Sequence, residues 1–193
     1  VLTSKYFGGK VPAASGNWTE TDLGLRDLMA STPGSVGDSI EKYRFRDALQ
    51  HAMGLVRAGN KYLTEEEPWK VIKSDEQRTA DILNLALQVT ANAAIVLSPF
   101  LPRTSERIAS ALGTAHLPWD AAGGDLVPAG QPLGSLPILF DKVTDEQVEE
   151  QRSKLGHAEG MREVEAEKAQ TTFDDFQAMD LRVAEVIAAE KVK

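Results

Sequence analysis

Between Asp75 and Leu97 the apolar positions fall at Ile82, Leu83, Ala86, Val89, Ala93, Val96 and Leu97, a broad stripe at helical spacing that predicts a core helix. Pro99 cannot continue that helix, because its ring removes an amide and crowds the preceding turn. Pro102 suits the first turn of a following helix, which Gly113 closes after Leu112. Upstream, Phe45, Leu49, Met53, Val56 and Leu63 recur at helical spacing and predict a longer helix from about Ser39 to Leu63, with this stripe as its apolar face. Pro68 marks the next break. A shorter helix capped by Thr19 or Thr21 should carry Leu23, Leu25 and Leu28 and end before Pro33-Gly34. Residues 1–7 read as the end of a helix, halted by Gly8-Gly9 and Pro12.

The stretch from Ile82 to Leu101 is apolar enough to resemble a membrane span, but Asn84, Gln88 and Asn92 recur through it at helical spacing. That pattern fits the flank of a buried helix better than a lipid-facing one. Residues 114–140 are rich in proline and glycine and read as loop with room for one short strand. From Thr144 to about Gln170 the chain is strongly acidic with sparse apolar positions, which predicts a solvated helix or linker. Beyond it, Leu181, Val183 and Val186-Ile187 resemble the start of a strand that lacks partners. The expected organisation is therefore a helical domain over 1–143, an acidic linker over 144–170 and a truncated segment over 171–193.

Composition narrows the chemistry. The 193 residues include no cysteine, which excludes disulfides, thiol catalysis and thiolate zinc sites within this stretch. His51, His116 and His157 are scattered without spaced ligands, so no metal site is expected. The short Gly8-Gly9 and Gly123-Gly124 pairs lack the pattern of a phosphate loop. Glu65-Glu66-Glu67 reads as a solvated acidic turn. No basic segment leads into an apolar run at the N-terminus, so no signal peptide is expected, and the cytoplasm is the expected compartment. The formal net charge is −8, but residues 1–143 carry only −2 and residues 144–193 carry −6. Without a basic surplus, nonspecific binding to DNA or a membrane surface is not expected; any RNA contact should read bases in a small area.

The informative stretch is Gly59-Asn60-Lys61-Tyr62-Leu63-Thr64-Glu65-Glu66-Glu67-Pro68-Trp69-Lys70. An asparagine near a helix end, a tyrosine two residues on and Pro-Trp after an acidic turn resemble the signature of the helical anticodon-binding domain of class I aminoacyl-tRNA synthetases. Three further segments narrow the resemblance to the methionyl-tRNA synthetase family: Lys5-Tyr6-Phe7-Gly8-Gly9-Lys10-Val11-Pro12, Pro99-Phe100-Leu101-Pro102, and Pro137-Ile138-Leu139-Phe140-Asp141-Lys142-Val143. In the tail, Phe173-Asp174-Asp175-Phe176 with Asp180-Leu181-Arg182-Val183-Ala184-Glu185-Val186 resembles the opening of the OB-fold tRNA-binding module that some of these enzymes append, with Ala184 where a glycine is usual.

The resemblance implies an all-α helical bundle whose partners are tRNA(Met), through its CAU anticodon, and a synthetase catalytic domain in cis. It implies that ATP and methionine bind that catalytic domain, that this stretch holds no cofactor, and that it is inactive alone. The catalytic signatures of the family, of His-x-Gly-His and Lys-Met-Ser-Lys-Ser type, do not occur in it. Trp69 is implied as a stacking platform for an unstacked base, Pro68 as the residue fixing its turn, and Lys5 as a basic residue facing the anticodon. Asn60 and Tyr62 are implied to be structural, as an interhelix hydrogen bond and a core aromatic. The family's Asn-x-x-x-Arg base-reading pair would fall upstream of Val1. Read from the residues alone, Trp69 is more simply a buried plug at a helix junction, since most aromatics serve packing. Burial is also the reading for Trp18 and Trp119. A helical scaffold domain without RNA contact is thus the alternative, and the exposure of Trp69 discriminates between the two.

Overall fold

The computed structural model describes residues 2–114, 117–135, 138–156 and 172–179. The chain divides into two compact units, Val1–Asp141 and Lys142–Lys193. In the first, α1 (Leu2–Tyr6) leads through a loop to α2 (Glu20–Glu41), α3 (Phe45–Glu66), the single turn α4 (Pro68–Val71), α5 (Glu76–Leu97) and α6 (Pro102–Ala111), with a 3-10 turn at Trp119–Ala121. Among the described residues there is no strand, only an isolated bridge between Lys10 and Pro132.

Local signals set most of these ends. Thr19 caps α2 in a capping box with Asp22, and Asp75 caps α5 through the Arg78 amide. Pro68 and Pro102 stand at the first helical positions of α4 and α6. Gly113 ends α6 with φ +75°, and a Cβ there would meet the Pro132 carbonyl at 2.7 Å, so conformation and space both require glycine.

Helix α5 is the centre of the bundle, and its stripe is buried except for half-buried Ala86. The polar residues within it are buried as well, and each is hydrogen-bonded. Asn84 Nδ2 donates to the Pro12 carbonyl at 2.7 Å. Gln88 Oε1 accepts from the Leu126 and Val127 amides, and its Nε2 donates to Val127 O. Asn92 accepts from the Gly123 amide and donates to Gly124 O. One turn before Asn84, the Asp81 carboxylate accepts from the Ser15 amide and hydroxyl. This ladder pins both flanking loops to α5. It explains how a helix of such low polarity serves a folded core, with most of its residues buried.

Three expectations are corrected. Helix α2 does not stop before Pro33 but runs through it to Glu41. Pro33 removes only the amide that would bond to Met29 O, while Met29 and Val36 on either side are essentially fully buried, and their packing outweighs the missing bond. The helix expected from Ser39 to Leu63 is instead two helices, because Tyr43 takes φ +58° and the chain reverses between α2 and α3. Helix α3 also turns a different face to the core than its large apolar residues suggest. Ala48, Ala52, Leu55, Gly59 and Tyr62 are buried, whereas Phe45 and Leu49 are exposed and Met53, Val56 and Leu63 half-buried. Small residues let α3 approach α5 closely: a Cβ on Gly59 would lie 2.9 Å from Val89 Cγ1.

In the second unit, α7 (Asp145–Gly156) carries exposed Glu149–Arg152 and Glu150–Lys154 pairs, as a solvated helix should. The short α8 (Phe173–Gln177) is capped by Thr172 and Asp175, with Phe173 and Phe176 exposed. The strand start expected from Leu181 lies outside the described residues, as does most of the acidic stretch from residue 157 onward.

Candidate functional site

Trp69 sits where α3 hands over to α5. Glu67 ends α3 in the left-handed region at φ 44°, an uncommon place for a non-glycine residue, costing about 1–3 kcal/mol. Pro68 then starts α4 with its φ already set, and Glu67 O accepts from the Lys70 amide at 2.7 Å. The turn leaves Trp69 45% exposed. Its inner side borders a cleft of about 340 Å³, whose walls include Leu63, Pro68, Leu83 and Thr90 together with Leu2 and Thr3 of α1. The fold thus brings α1, and with it Lys5, to the neighbourhood of the tryptophan. Lys5 is exposed, with Nζ 4.8 Å from the centre of the Tyr6 ring. Lys70 and Lys73 follow Trp69 in the sequence and are exposed, Lys70 paired with Glu67 at 2.6 Å.

Beside this turn lies a charged network of which the sequence motif marked only Tyr62, and not its charged partners. Asp22 is fully buried and accepts the Tyr62 hydroxyl at 2.5 Å. The Arg78 guanidinium donates to both carboxylate oxygens of Asp22, at 2.5 and 3.0 Å, and also to Glu66 Oε2 at 2.7 Å. Burial pushes the Asp22 carboxyl up, but the bonds from Arg78, Tyr62 and Thr19 outweigh it and hold its pKa at about 2. Burial and the Asp22 carboxylate push the Tyr62 hydroxyl well above its ordinary range. The bond to Asp22, against the opposing effect of burial, raises Arg78 in turn. The network joins the start of α2, the end of α3 and the start of α5, so the segment carrying Trp69 is clamped on both sides.

Tyr62 is therefore a core aromatic with a second role as a hydrogen-bond donor. Asn60 does not form the expected interhelix hydrogen bond: it is exposed, its side chain bonds to no described residue, and its backbone carbonyl, within α3, also accepts from the Thr64 hydroxyl. Glu65-Glu66-Glu67 is not merely solvated, since Glu66 belongs to the network and Glu67 makes the turn. Trp18 and Trp119 are half-buried against the core, Trp18 with the Arg26 guanidinium 5.0 Å from its ring centre. His51 is exposed; His116 and His157 lie outside the described residues. The only local hint of Asp22 was its place three residues after a capping threonine.

Comparison with known proteins places this arrangement. Residues 11–160 match the model of a family described as the anticodon binding domain of methionyl tRNA ligase. A methionine–tRNA ligase of Cytophaga hutchinsonii is 43% identical over the whole chain, and one of Bacteroides fragilis is 41% identical. In both cases the chain spans 29% of the relative's length. Among solved structures, the free form of Mycobacterium tuberculosis methionyl-tRNA synthetase has the same fold over 74% of this chain and 30% of that one, with a TM-score of 0.69 at 23% identity. A second structure of that enzyme, with methionyl-adenylate, aligns at a TM-score of 0.66 and 22% identity. With a family match over most of its length and the same helical fold, the chain belongs to the family of methionyl-tRNA ligase anticodon-binding domains.

Proposed function

We propose that this chain is the tRNA-reading part of a methionine–tRNA ligase working in translation in the cytoplasm, and that Trp69 is its stacking platform for an unstacked base of the CAU anticodon. The exposure of the Trp69 ring carries this reading. A buried ring would have favoured the scaffold alternative; a flat indole face held open on a clamped turn is what a splayed base requires. Pro68 and the left-handed Glu67 set the aim of the ring before RNA arrives, so little ordering remains to be done on binding. Lys5, Lys70 and Lys73 supply positive charge near the turn for the phosphates beside that base, which suits a short contact on an otherwise acidic chain.

In this reading the bundle binds and orients the tRNA, while ATP and methionine are bound by a catalytic domain elsewhere in the same polypeptide. Binding of tRNA(Met) to the full-length ligase, with Trp69 and with Trp69→Ala, is the test. A variant that folds normally and binds tRNA(Met) as tightly as the parent would overturn the role of Trp69.

A further inference from the structure

The reversal between α2 and α3 reads Lys42-Tyr43-Arg44-Phe45-Arg46, and all five residues are exposed. Tyr43 is 83% exposed and Phe45 54%, with their rings edge to face and centroids 6.4 Å apart. Aromatics alternating with basic residues in open solvent are a pattern that packing does not call for and nucleic acid does.

The backbone adds a second observation. Tyr43 stands at φ +58°, a conformation that strains a bulky residue and that glycine adopts freely. The chain reversal uses the backbone of residue 43 and makes no use of its ring, whose hydroxyl bonds to no described residue. Strain kept at an exposed aromatic is a mark of function.

Charge supplies a third. The side chains of Arg44 and Arg46 bond to no described residue, whereas Arg26, Arg78 and Arg107 each hold a carboxylate or a carbonyl of this chain. Lys42 reaches Asp38 at 3.9 Å, an exposed pair of little strength. Asp38 and Glu41 belong to α2, and Asp47 to the first turn of α3, where the helix dipole favours it. The apex of the turn is left cationic on a chain of net charge −8.

The 22 residues of α3, about 33 Å, separate this turn from the one that carries Trp69. With a splayed base at the Trp69 end, the RNA that reaches the other end is stem, whose accessible face is phosphate and ribose. We infer that the α2–α3 turn is a second tRNA contact, at which Arg44 and Arg46 bond to phosphates of a stem and the Tyr43–Phe45 pair packs on the ribose between them. The inference rests on the reading of this chain as the tRNA-binding part of a ligase. Arginine forks match phosphate oxygens in pairs, and such contacts add affinity and register without reading sequence.

The test is binding of tRNA(Met) to the full-length ligase across a range of salt. Arg44→Ala with Arg46→Ala should weaken binding about tenfold and make the plot of log affinity against log salt shallower by about 1–2. Phosphates shielded from ethylation by the parent and released in this variant should lie in a stem, outside the anticodon loop. Tyr43→Gly relieves the left-handed strain, so it should keep or raise the thermal midpoint while weakening tRNA binding severalfold. A lower midpoint with unchanged binding would make Tyr43 structural and overturns the inference. Unchanged affinity and slope in the arginine variant overturn it too. So does a lower midpoint of the ligase with an unchanged slope, because the turn would then be the seat of another protein domain. The arginine variant should cost the same factor in the parent and in Trp69→Ala, since sites this far apart act independently. If Trp69→Ala binds as tightly as the parent, the anticodon reading fails by itself, and the salt slope still decides the second contact.

Discussion

The Tyr62 hydroxyl donates to Asp22 Oδ1 at 2.5 Å, joining α3 to the first turn of α2 across 40 positions of sequence. Arg78 completes the pair from α5, so one buried carboxylate holds three helices together beside the turn that carries Trp69. A buried charge of this kind is stable only while every partner is in place.

Acid should loosen this clamp. The folded Asp22 carboxyl is held at about 2, below its ordinary 3.8, so its contribution is full above the unfolded value and is lost as pH falls through the folded one. A shift of that size corresponds to about 2 kcal/mol, disappearing between roughly pH 5 and pH 2. At neutral pH, Asp22→Asn should cost about 3 kcal/mol and Tyr62→Phe about 2 kcal/mol. Thermal midpoints measured from pH 7 to pH 2 check both points: Asp22→Asn should show a flatter acid limb than the parent.

Trp69→Ala should separate folding from recognition. With the residue nearly half exposed, the change should cost about 1–2 kcal/mol of stability, against about 3–5 kcal/mol for a buried plug, whereas a stacked base is worth about 1–3 kcal/mol. Affinity of the full-length ligase for tRNA(Met) should fall by roughly five- to a hundredfold while the thermal midpoint falls by only a few degrees. A drop of many degrees with normal binding by the folded fraction would assign Trp69 to packing instead.

Replacing Gln88 by leucine should keep α5 and lose the loop. The change strands the Leu126 and Val127 amides and the Val127 carbonyl inside the protein, costing about 2–3 kcal/mol. Hydrogen exchange should accelerate first at residues 123–127, ahead of the helices. Uniform acceleration across the bundle would show that the polar ladder does not act locally.

Pro33→Ala should stabilise the protein by about 1 kcal/mol. A helix-interior proline costs about 3 kcal/mol, part of which the contacts of its buried ring offset, and alanine restores an amide opposite Met29 O. Calorimetry would register a higher midpoint; a lower one would mean that ring packing at this position outweighs the helix bond.

What the sequence by itself determined are the features written in neighbouring residues. Thr19 capping α2, Pro68 opening the turn before Trp69, Pro99 and Pro102 separating α5 from α6, and Gly113 ending α6 each act over a few positions, so each is legible without knowing the fold. The stripe of α5 and the order of the family-like segments belong to the same class, and with them the helical architecture and the family.

The tertiary structure decided the rest, because those outcomes depend on competition between distant groups. Helix α2 passes through Pro33 because packing around Met29 and Val36 is worth more than one amide. Helix α3 buries the face of Ala48, Ala52, Leu55, Gly59 and Tyr62 rather than the stripe from Phe45 to Leu63, because at Gly59 only the absence of a side chain lets its backbone close on Val89. Asp22, Tyr62 and Arg78 lie up to 56 positions apart, and no local pattern marks three polar residues that will share one buried charge. The exposure of Trp69 follows from that same assembly: the network fixes the two helices on either side of Pro68, and the turn between them holds the residue at the edge of a cleft rather than in the core.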